Sequence, residues 1–476
     1  MAPAMTGSLP QVRLHNSLTR RAEALVPLEP GRVGIYTCGS TVYKYAHIGN
    51  LRTYLFGDLL HRTLEYLGYE VRYVKNITDV GHMRNDDHDS ASSDADKIEL
   101  AAETEGKTPG EIADFYTAAW LEDEALLNIL PADVMPKATD HVAEMISLTE
   151  MLVQKGLAYE VDGTIYYDVS AFPAYGQLSG QRVEEMRAGH RVEVETDKRD
   201  PADFALWKAA GHHRLMKWPS PWGDGFPGWH IECSAMSLKH LGERFDIHTG
   251  GIDLKFPHHE DEIAQSEGAL GHPVVSIWMH GEFLTMGDAK MAKSTGNVVR
   301  VADLPAMGYE PLVFRYLALT AHYRSKIDFT ADAMHAAASG LARLRRAVSS
   351  AAAESVDLSA QPMAAYRARF ADAVADDLAL PKALAIAHEV ASASDLSEPQ
   401  RRAVLLDFDH VLGLSLDAPL AAEAPLPEGA VELLERRAAA RAAKDFAASD
   451  ALRDELAALG VEVRDTPDGQ ATTVRT

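Results

Sequence analysis

The most constraining feature of this chain is a strand–helix–strand pattern near its N-terminus. Val33-Gly34-Ile35-Tyr36-Thr37-Cys38-Gly39 is an apolar run closing in Cys and Gly, which reads as a buried strand and its turn. Leu51, Leu55, Leu59, Leu60, Leu64 and Leu67 recur at helical spacing between Asn50 and Tyr69. Glu70 to Asp79 alternates and is rich in β-branched and aromatic residues, so it reads as a second strand. Two strands joined through a helix lie parallel with a right-handed crossover, which predicts an α/β fold on a parallel sheet.

The 476 residues give material for several domains, and 46% hydrophobic with 24% charged residues excludes a disordered, collagenous or disulfide-scaffold chain. No apolar run reaches the roughly 18 residues of a membrane span. Met1 to Pro10 lacks the basic flank and apolar stretch of a signal peptide, so the expected compartment is the cytoplasm. A net charge of −24 argues against indiscriminate nucleic-acid binding, while leaving room for local basic patches. Cys38 and Cys233 are the only cysteines. In a cytosolic chain they are inert core thiols or members of a site, not a disulfide.

The rest of the chain changes texture several times. A polar lead-in runs to about Val26. Gly81 to Gly110 differs in texture, and its acidic, small-residue stretch Arg84 to Asp94 reads as a mobile loop, with His82 and His88 as solvated surface residues rather than a metal site. Helical patterns fill Glu111–Leu130 and Asp140–Lys155, with short strands around Leu157–Val169. Gly176 to Asp200 is rich in Gly and charge, and Phe204 to His230 carries four of the six tryptophans. After Thr330 the helices become Ala-rich, as in a bundle, and a Pro- and Ala-rich linker leads to a terminal unit of two helices and a strand at Val461–Arg464. These shifts divide the chain into 28–130 with 216–285 as a split α/β core, 131–215 as an insertion, 286–330, a bundle at 331–420, and a small unit at 430–476.

Three groups of residues carry chemistry. Tyr45-Ala46-His47-Ile48-Gly49-Asn50 enters the first helix, where amides and the helix dipole favour an anion, and His47 adds a donor for phosphate charge. Lys290-Met291-Ala292-Lys293-Ser294 sets two lysines on a Gly-flanked loop, able to grip a triphosphate. Cys38, Cys233 in Trp229-His230-Ile231-Glu232-Cys233, and the run His258-His259-Glu260-Asp261-Glu262 together offer thiolates, imidazole and carboxylate for a four-ligand zinc set. His258 and Glu262 share a helix face at i,i+4, but His259 is a rival ligand, and spacing alone leaves the two open.

The His-Ile-Gly-Asn and Lys-Met-x-Lys-Ser elements together resemble the class I aminoacyl-tRNA synthetases. Cys38-Gly39-Ser40-Thr41-Val42-Tyr43, Asn76-Ile77-Thr78-Asp79, Gly228 to Met236, Gly250-Gly251-Ile252-Asp253, Ala321 to Ser325 and the tail Ala440 to Asp450 narrow the resemblance to the cysteinyl-tRNA synthetases. The resemblance implies a Rossmann-like catalytic domain with an inserted connective segment, a stem-contact region with the lysine loop, a helical bundle and a C-terminal anticodon-binding domain. It implies zinc, one per chain, on Cys38, Cys233, His258 and Glu262. It puts ATP, with Mg2+, on His47, Gly49, Asn50, Gly250, Gly251, Asp253, Lys290 and Lys293, with His47, Asn50, Lys290 and Lys293 catalytic. It puts the substrate cysteine against Thr78, Trp229 and His230. The implied reaction forms cysteinyl-adenylate from L-cysteine and ATP and transfers cysteine to tRNA(Cys), in a monomer with no membrane partner.

A soft thiol enters a zinc coordination sphere far better than a serine hydroxyl, which makes a separate editing domain unnecessary. Two rivals remain: a cysteine ligase of the mycothiol pathway, with an amino-sugar acceptor, and a non-catalytic tRNA-binding paralogue. The terminal unit argues against the first, and the intact His47, Asn50, Lys290 and Lys293 against the second. Ala292 stands where the family usually has Ser, Phe226 where a basic residue is commoner, loop 81–95 is longer than the family's, and residues 279–476 contain no Trp. In the tail, Arg437, Arg441 and Lys444 fall at i, i+4 and i+7, which predicts a basic stripe for tRNA phosphates on one helix face.

Overall fold

The computed structural model describes residues 11–80, 96–181, 198–211, 214–286, 289–290, 298–419, 427, 429–466 and 469–474. The chain divides into two compact units, Met1–Ala302 with Pro311–Asp417, and Asp303–Glu310 with Ala418–Thr476. The loop 81–95, with His82 and His88, lies outside the described residues, as do 182–197 and 291–297.

In the first unit the stretch read as a polar lead-in forms a hairpin, β1 (Arg13–Asn16) with β2 (Arg21–Ala24). The alternation is too short to read as a strand from sequence, but Val12 and Leu14 are fully buried, and the Asn16 amide adds a bond to Ser276 O at 3.1 Å. The core sheet is parallel throughout. It comprises β3 (Arg32–Thr41), β4 (Glu70–Thr78), β10 (Phe245–Gly251) and β11 (Val275–Gly281), in the order β11-β10-β3-β4. Central strands covered on both faces need continuous apolar runs, which is what Val33 to Cys38 supplies. The register of β3 against β4 shifts between Thr37 and Ser40, where Gly39 is forced: a Cβ there would sit 1.7 Å from Asn76 O.

Helix Ile48–Tyr66 links β3 to β4 and opens with a capping box between His47 and Asn50. Its Asp58 is buried between Arg62 and Arg315, the latter on helix Pro311–Leu319. Helices Trp229–Leu241 and His258–Leu270 precede and follow β10. The insertion folds as an antiparallel sheet of β5 (Ala158–Val161), β6 (Thr164–Tyr167), β7 (Phe204–Ala209), β8 (Trp218–Ser220) and β9 (Gly223–Pro227), ordered β5-β6-β7-β9-β8. That sheet runs on to Pro227, past the boundary expected at 215, because β9 pairs with β7. Beyond the core lie β12 (Leu284–Met286), β13 (Ala289–Lys290) and β14 (Ile327–Asp328). A bundle of four helices follows, with Phe370 stacked on Phe408 at 4.0 Å.

The second unit contains helices Ala430–Ala442 and Phe446–Ala458 and the hairpin β15 (Val461–Thr466) with β16 (Gly469–Val474). Here the basic stripe needs correction. Arg437 is 2% exposed, and its guanidinium bonds Asp465 and Gln470 of the hairpin. Arg441 reaches the same Asp465 at 2.6 Å, and Lys444 lies beyond the helix end. The i,i+4 spacing does place Arg437 and Arg441 on one face, but that face pairs with Asp465 of the hairpin, with Arg437 buried and Arg441 exposed. No described helix is long and apolar enough to cross a membrane.

Candidate active site

Cys38 ends the buried run of β3, Cys233 sits on the second turn of helix Trp229–Leu241, and His258 and Glu262 lie one turn apart on helix His258–Leu270. Their ligand atoms all fall within 4.8 Å of one another, and all four residues are buried. The Cys38 and Cys233 sulfurs are 3.6 Å apart, Cys38 Sγ is 3.6 Å from Glu262 Oε1, and His258 Nε2 is 3.1 Å from that oxygen. A tetrahedral ion bound at about 2.3 Å to sulfur and about 2.0 Å to nitrogen and oxygen spaces its ligands by roughly 3.3–3.8 Å. The four residues fit a metal ion.

His259, the rival, belongs to a second grouping with Cys38, His248 and Glu262. Its Nε2 is 3.3 Å from Cys38 Sγ, while its Nδ1 is 2.8 Å from His280 Nε2. Only the first grouping holds both thiols, the donors that favour a soft or borderline ion.

The electrostatics suit a cation. Burial opposes ionisation of Cys233, but the Cys38 hydrogen bond and the His258 charge outweigh it and bring this thiol down to about 6. Burial also opposes charge on His258, and is outweighed by Cys233 and Glu262, which raise it to about 10. Burial would raise Glu262 as well; His248 and His258 hold it at about 2. Burial, the Cys233 hydrogen bond and neighbouring negative charge push Cys38 well up, so it keeps its proton. Negative charge is thus concentrated on Cys233 and Glu262, and a dication held by the four residues would take the place of the protons on Cys38 and His258.

A second layer orients these groups. His258 Nδ1 lies 2.8 Å from His230 Nδ1, His230 Nε2 lies 3.2 Å from Asp261 Oδ2, and the Tyr175 hydroxyl donates to Asp261. Such carboxylate–histidine chains fix the ring of a ligating imidazole. His248 Nε2 holds the other Glu262 oxygen at 2.9 Å. Asn76 Oδ1 accepts the Gly39 amide at 2.9 Å while its Nδ2 donates to Thr78 Oγ1 at 3.1 Å, pinning the strand ends beside Cys38. Sequence reasoning did not assign Asp261, His248 or His280. The one available signal was the density of His, Asp and Glu in 258–262 and of His in apolar strands. His230 lies against His258, and the Trp229 ring is centred 4.5 Å from that of His258.

The residues expected at a nucleotide lie toward the same end of the sheet. His47 caps helix Ile48–Tyr66, its Nδ1 accepting the Asn50 amide at 3.2 Å and Asn50 Oδ1 accepting the His47 amide at 3.3 Å. Gly49 follows on the first turn, where the neighbouring Ile48 and Asn50 amides are already engaged. Gly250 and Gly251 close β10: a Cβ on the first would meet the His259 ring at 2.7 Å, and on the second Asp253 Oδ1 at 2.4 Å. Asp253 is exposed on the turn that follows. Lys290 ends β13, its backbone paired with Thr285. Lys293 lies outside the described residues, but the Ile48 amide donates to Val299 O at 3.0 Å, which joins the segment after the lysine loop to the helix start.

Residues 24–339 match the family described as tRNA synthetases class I (C) catalytic domain, and residues 423–472 match the cysteinyl-tRNA ligase anticodon binding domain. A cysteine–tRNA ligase of Thermus thermophilus is 44% identical over 475 residues, covering 96% of this chain and 98% of that protein. Cysteine–tRNA ligase 1 of Burkholderia lata is 45% identical over 461 residues, covering 96% of each. Among solved structures, Mycobacterium tuberculosis methionyl-tRNA synthetase with methionyl-adenylate matches with a TM-score of 0.55 at 18% identity, over 88% of this chain and 96% of that one. That last likeness is one of fold, and it agrees with the class I α/β architecture. With the catalytic-domain match spanning more than half its length and relatives aligned nearly end to end, the chain belongs to the cysteinyl-tRNA ligase family of class I tRNA synthetases.

Proposed function

We propose that this chain activates L-cysteine with ATP to cysteinyl-adenylate and transfers the cysteinyl group to tRNA(Cys), working as a cytoplasmic monomer. The observation that carries the reading is the buried Cys38–Cys233–His258–Glu262 cluster beside the glycine end of β10, in a chain of this family. In this reading the four residues hold one zinc ion, which when bound supplies a Lewis acid that takes the substrate thiolate as a further ligand.

The protein's own contribution is positioning and charge. Thr78, Trp229 and His230 border the cluster and place the amino acid. His47, with Gly49 and Asn50 at the helix N-terminus, and Gly250, Gly251 and Asp253 at the end of β10, hold the nucleotide, with Mg2+ accompanying its phosphates. The cysteine carboxylate oxygen attacks the α-phosphorus, and the bond to the β-phosphate oxygen breaks as pyrophosphate leaves. His47, Asn50, Lys290 and Lys293 stabilise the charge that develops there. The ribose hydroxyl at the tRNA end then displaces AMP.

The test is pyrophosphate exchange with cysteine and with serine. Metal-based selection predicts serine to be activated at least about ten-thousand-fold less, since a site built around a lost ligand rejects its analogue by that order. Comparable exchange rates would contradict it. Labelled cysteine should appear on tRNA and not on glucosaminyl-inositol, which separates this reading from the amino-sugar ligase.

A further inference from the structure

We propose a second oxyanion site, for a ligand of the phosphate class, in a cavity lined by Arg20, Lys255 and Arg324 on the sheet face turned away from helix Ile48–Tyr66. Neighbouring residues of β11 define the two faces. A Cβ on Gly281 would meet Phe56 of that helix, whereas His280 turns the other way, its Nδ1 2.8 Å from Ser17 Oγ. The cavity, about 130 Å³, lies on the His280 side, with His15, Glu282 and the three cations in its wall. None of the residues assigned above to ATP or to the metal lines it.

Its charges are unusual in a chain of net −24. Among the described residues, neither Arg20 nor Lys255 makes a side-chain hydrogen bond or ion pair. Asp377 accepts from Nε and Nη2 of Arg324, at 2.9 and 2.7 Å, which leaves Nη1 uncommitted among those residues. Glu282, the one carboxylate in the described lining, accepts the amide of its neighbour Phe283. Glu260, the acid whose field reaches Lys255, is engaged by the amides of Leu178 and Ser179.

Arg20 stands at φ 61, in the left-handed region, and its amide closes a turn onto Asn16 O at 2.7 Å. Gly180, itself at φ +78, leaves room for the guanidinium: a Cβ there would sit 2.2 Å from Arg20 Nη2. Arg20 is exposed at the edge of the cavity, and its guanidinium bonds nothing among the described residues. The cations also act on one another. Burial, then Arg20, lower Lys255, and burial with the field of Lys255 brings His280 down to about 3. A phosphate oxyanion relieves that repulsion and accepts charge-assisted bonds from the free N–H groups.

Two sources share this chemistry, free inorganic phosphate or pyrophosphate and a phosphodiester of the RNA substrate; the second rests on the function proposed above. Inorganic phosphate is titrated calorimetrically into full-length protein saturated with cysteine and α,β-methylene-ATP, which fills the nucleotide elements. The parent should show one saturable site, weakened at least about tenfold in Lys255→Met and in Arg20→Met, the worth of a charge-assisted bond. No saturable phosphate binding in the parent, or equal binding in both variants, overturns the proposal. Unchanged cysteine-dependent pyrophosphate exchange in Lys255→Met shows the variant folded and keeps the catalytic reading separate. If phosphate binding falls and the KM for tRNA rises with it, the ligand is the RNA phosphodiester; if the KM stays put, the ligand is the free anion.

Discussion

Both units of this protein bury a guanidinium, and they do so in opposite ways. Arg315 in the catalytic unit is fully buried, bonds Asp58 Oδ2 at 2.6 Å, and spends its other donors on the carbonyls of Leu412, Leu127 and Asn128. Asp58 is fully buried too, and also holds Arg62 and the Leu130 amide. Arg437 in the tail is as buried, but its partner Asp465 keeps 37% of its side chain in solvent and is shared with the exposed Arg441. An ion pair whose two members are both desolvated depends on every bond being kept, whereas one whose carboxylate faces water can be re-solvated.

The largest effect should follow from Asp58→Ala. It leaves Arg315 and Arg62 buried without their carboxylate, and removal of one member of a buried pair costs about 3–5 kcal/mol. Denaturant unfolding followed by helix content measures it; a loss within the range of ordinary surface substitutions would break the contrast between the units. Asp58→Asn sharpens it through pH. Burial would raise Asp58, but Arg315 and Arg62 hold it below its ordinary 3.8. A carboxylate held low contributes stability that is complete above about 3.9 and is lost as pH falls through the lowered value. The parent should therefore lose stability in acid more steeply than Asp58→Asn, and matching acid limbs would contradict the pairing.

A smaller, local effect is expected of Arg437→Met. Hydrogen exchange should quicken in Ala430–Ala442 and in the hairpin while the core-sheet amides keep their protection. The smallest belongs to Arg441→Gln, whose pair is half in solvent: thermal unfolding should be unchanged within error. An Arg441→Gln protein as damaged as Arg437→Met would mean that the two pairs are energetically alike.

The same spacing argument serves both units with different success, and the reason is physical. His258 and Glu262 at i,i+4 share a helix face, and the structure brings that face to Cys38 and Cys233. Arg437 and Arg441 at i,i+4 also share a face, but a helix does not encode what its face meets, and hairpin β15–β16 supplies Asp465. Periodicity makes the β3–helix–β4 unit, the Ala-rich bundle and the terminal helices legible. It does not reveal the chain Tyr175–Asp261–His230–His258, whose members are drawn from a loop and two helices that meet only in the folded molecule. Hairpin β1–β2 escapes it because its alternation, with Leu14 and Asn16 turned inward, spans only a few residues, and Asn16 bonds help seat it on β11.

The central claim is that Cys38, Cys233, His258 and Glu262 hold one ion that recognises the substrate's thiol. Replacing that ion with cobalt(II) and following thiolate-to-cobalt absorption tests it most directly. The account predicts about one cobalt per chain, a thiolate band that grows when L-cysteine is added and is unmoved by L-serine, and loss of both metal and band in Cys233→Ser. A spectrum indifferent to cysteine, or a Cys233→Ser protein with its full metal complement, would contradict it.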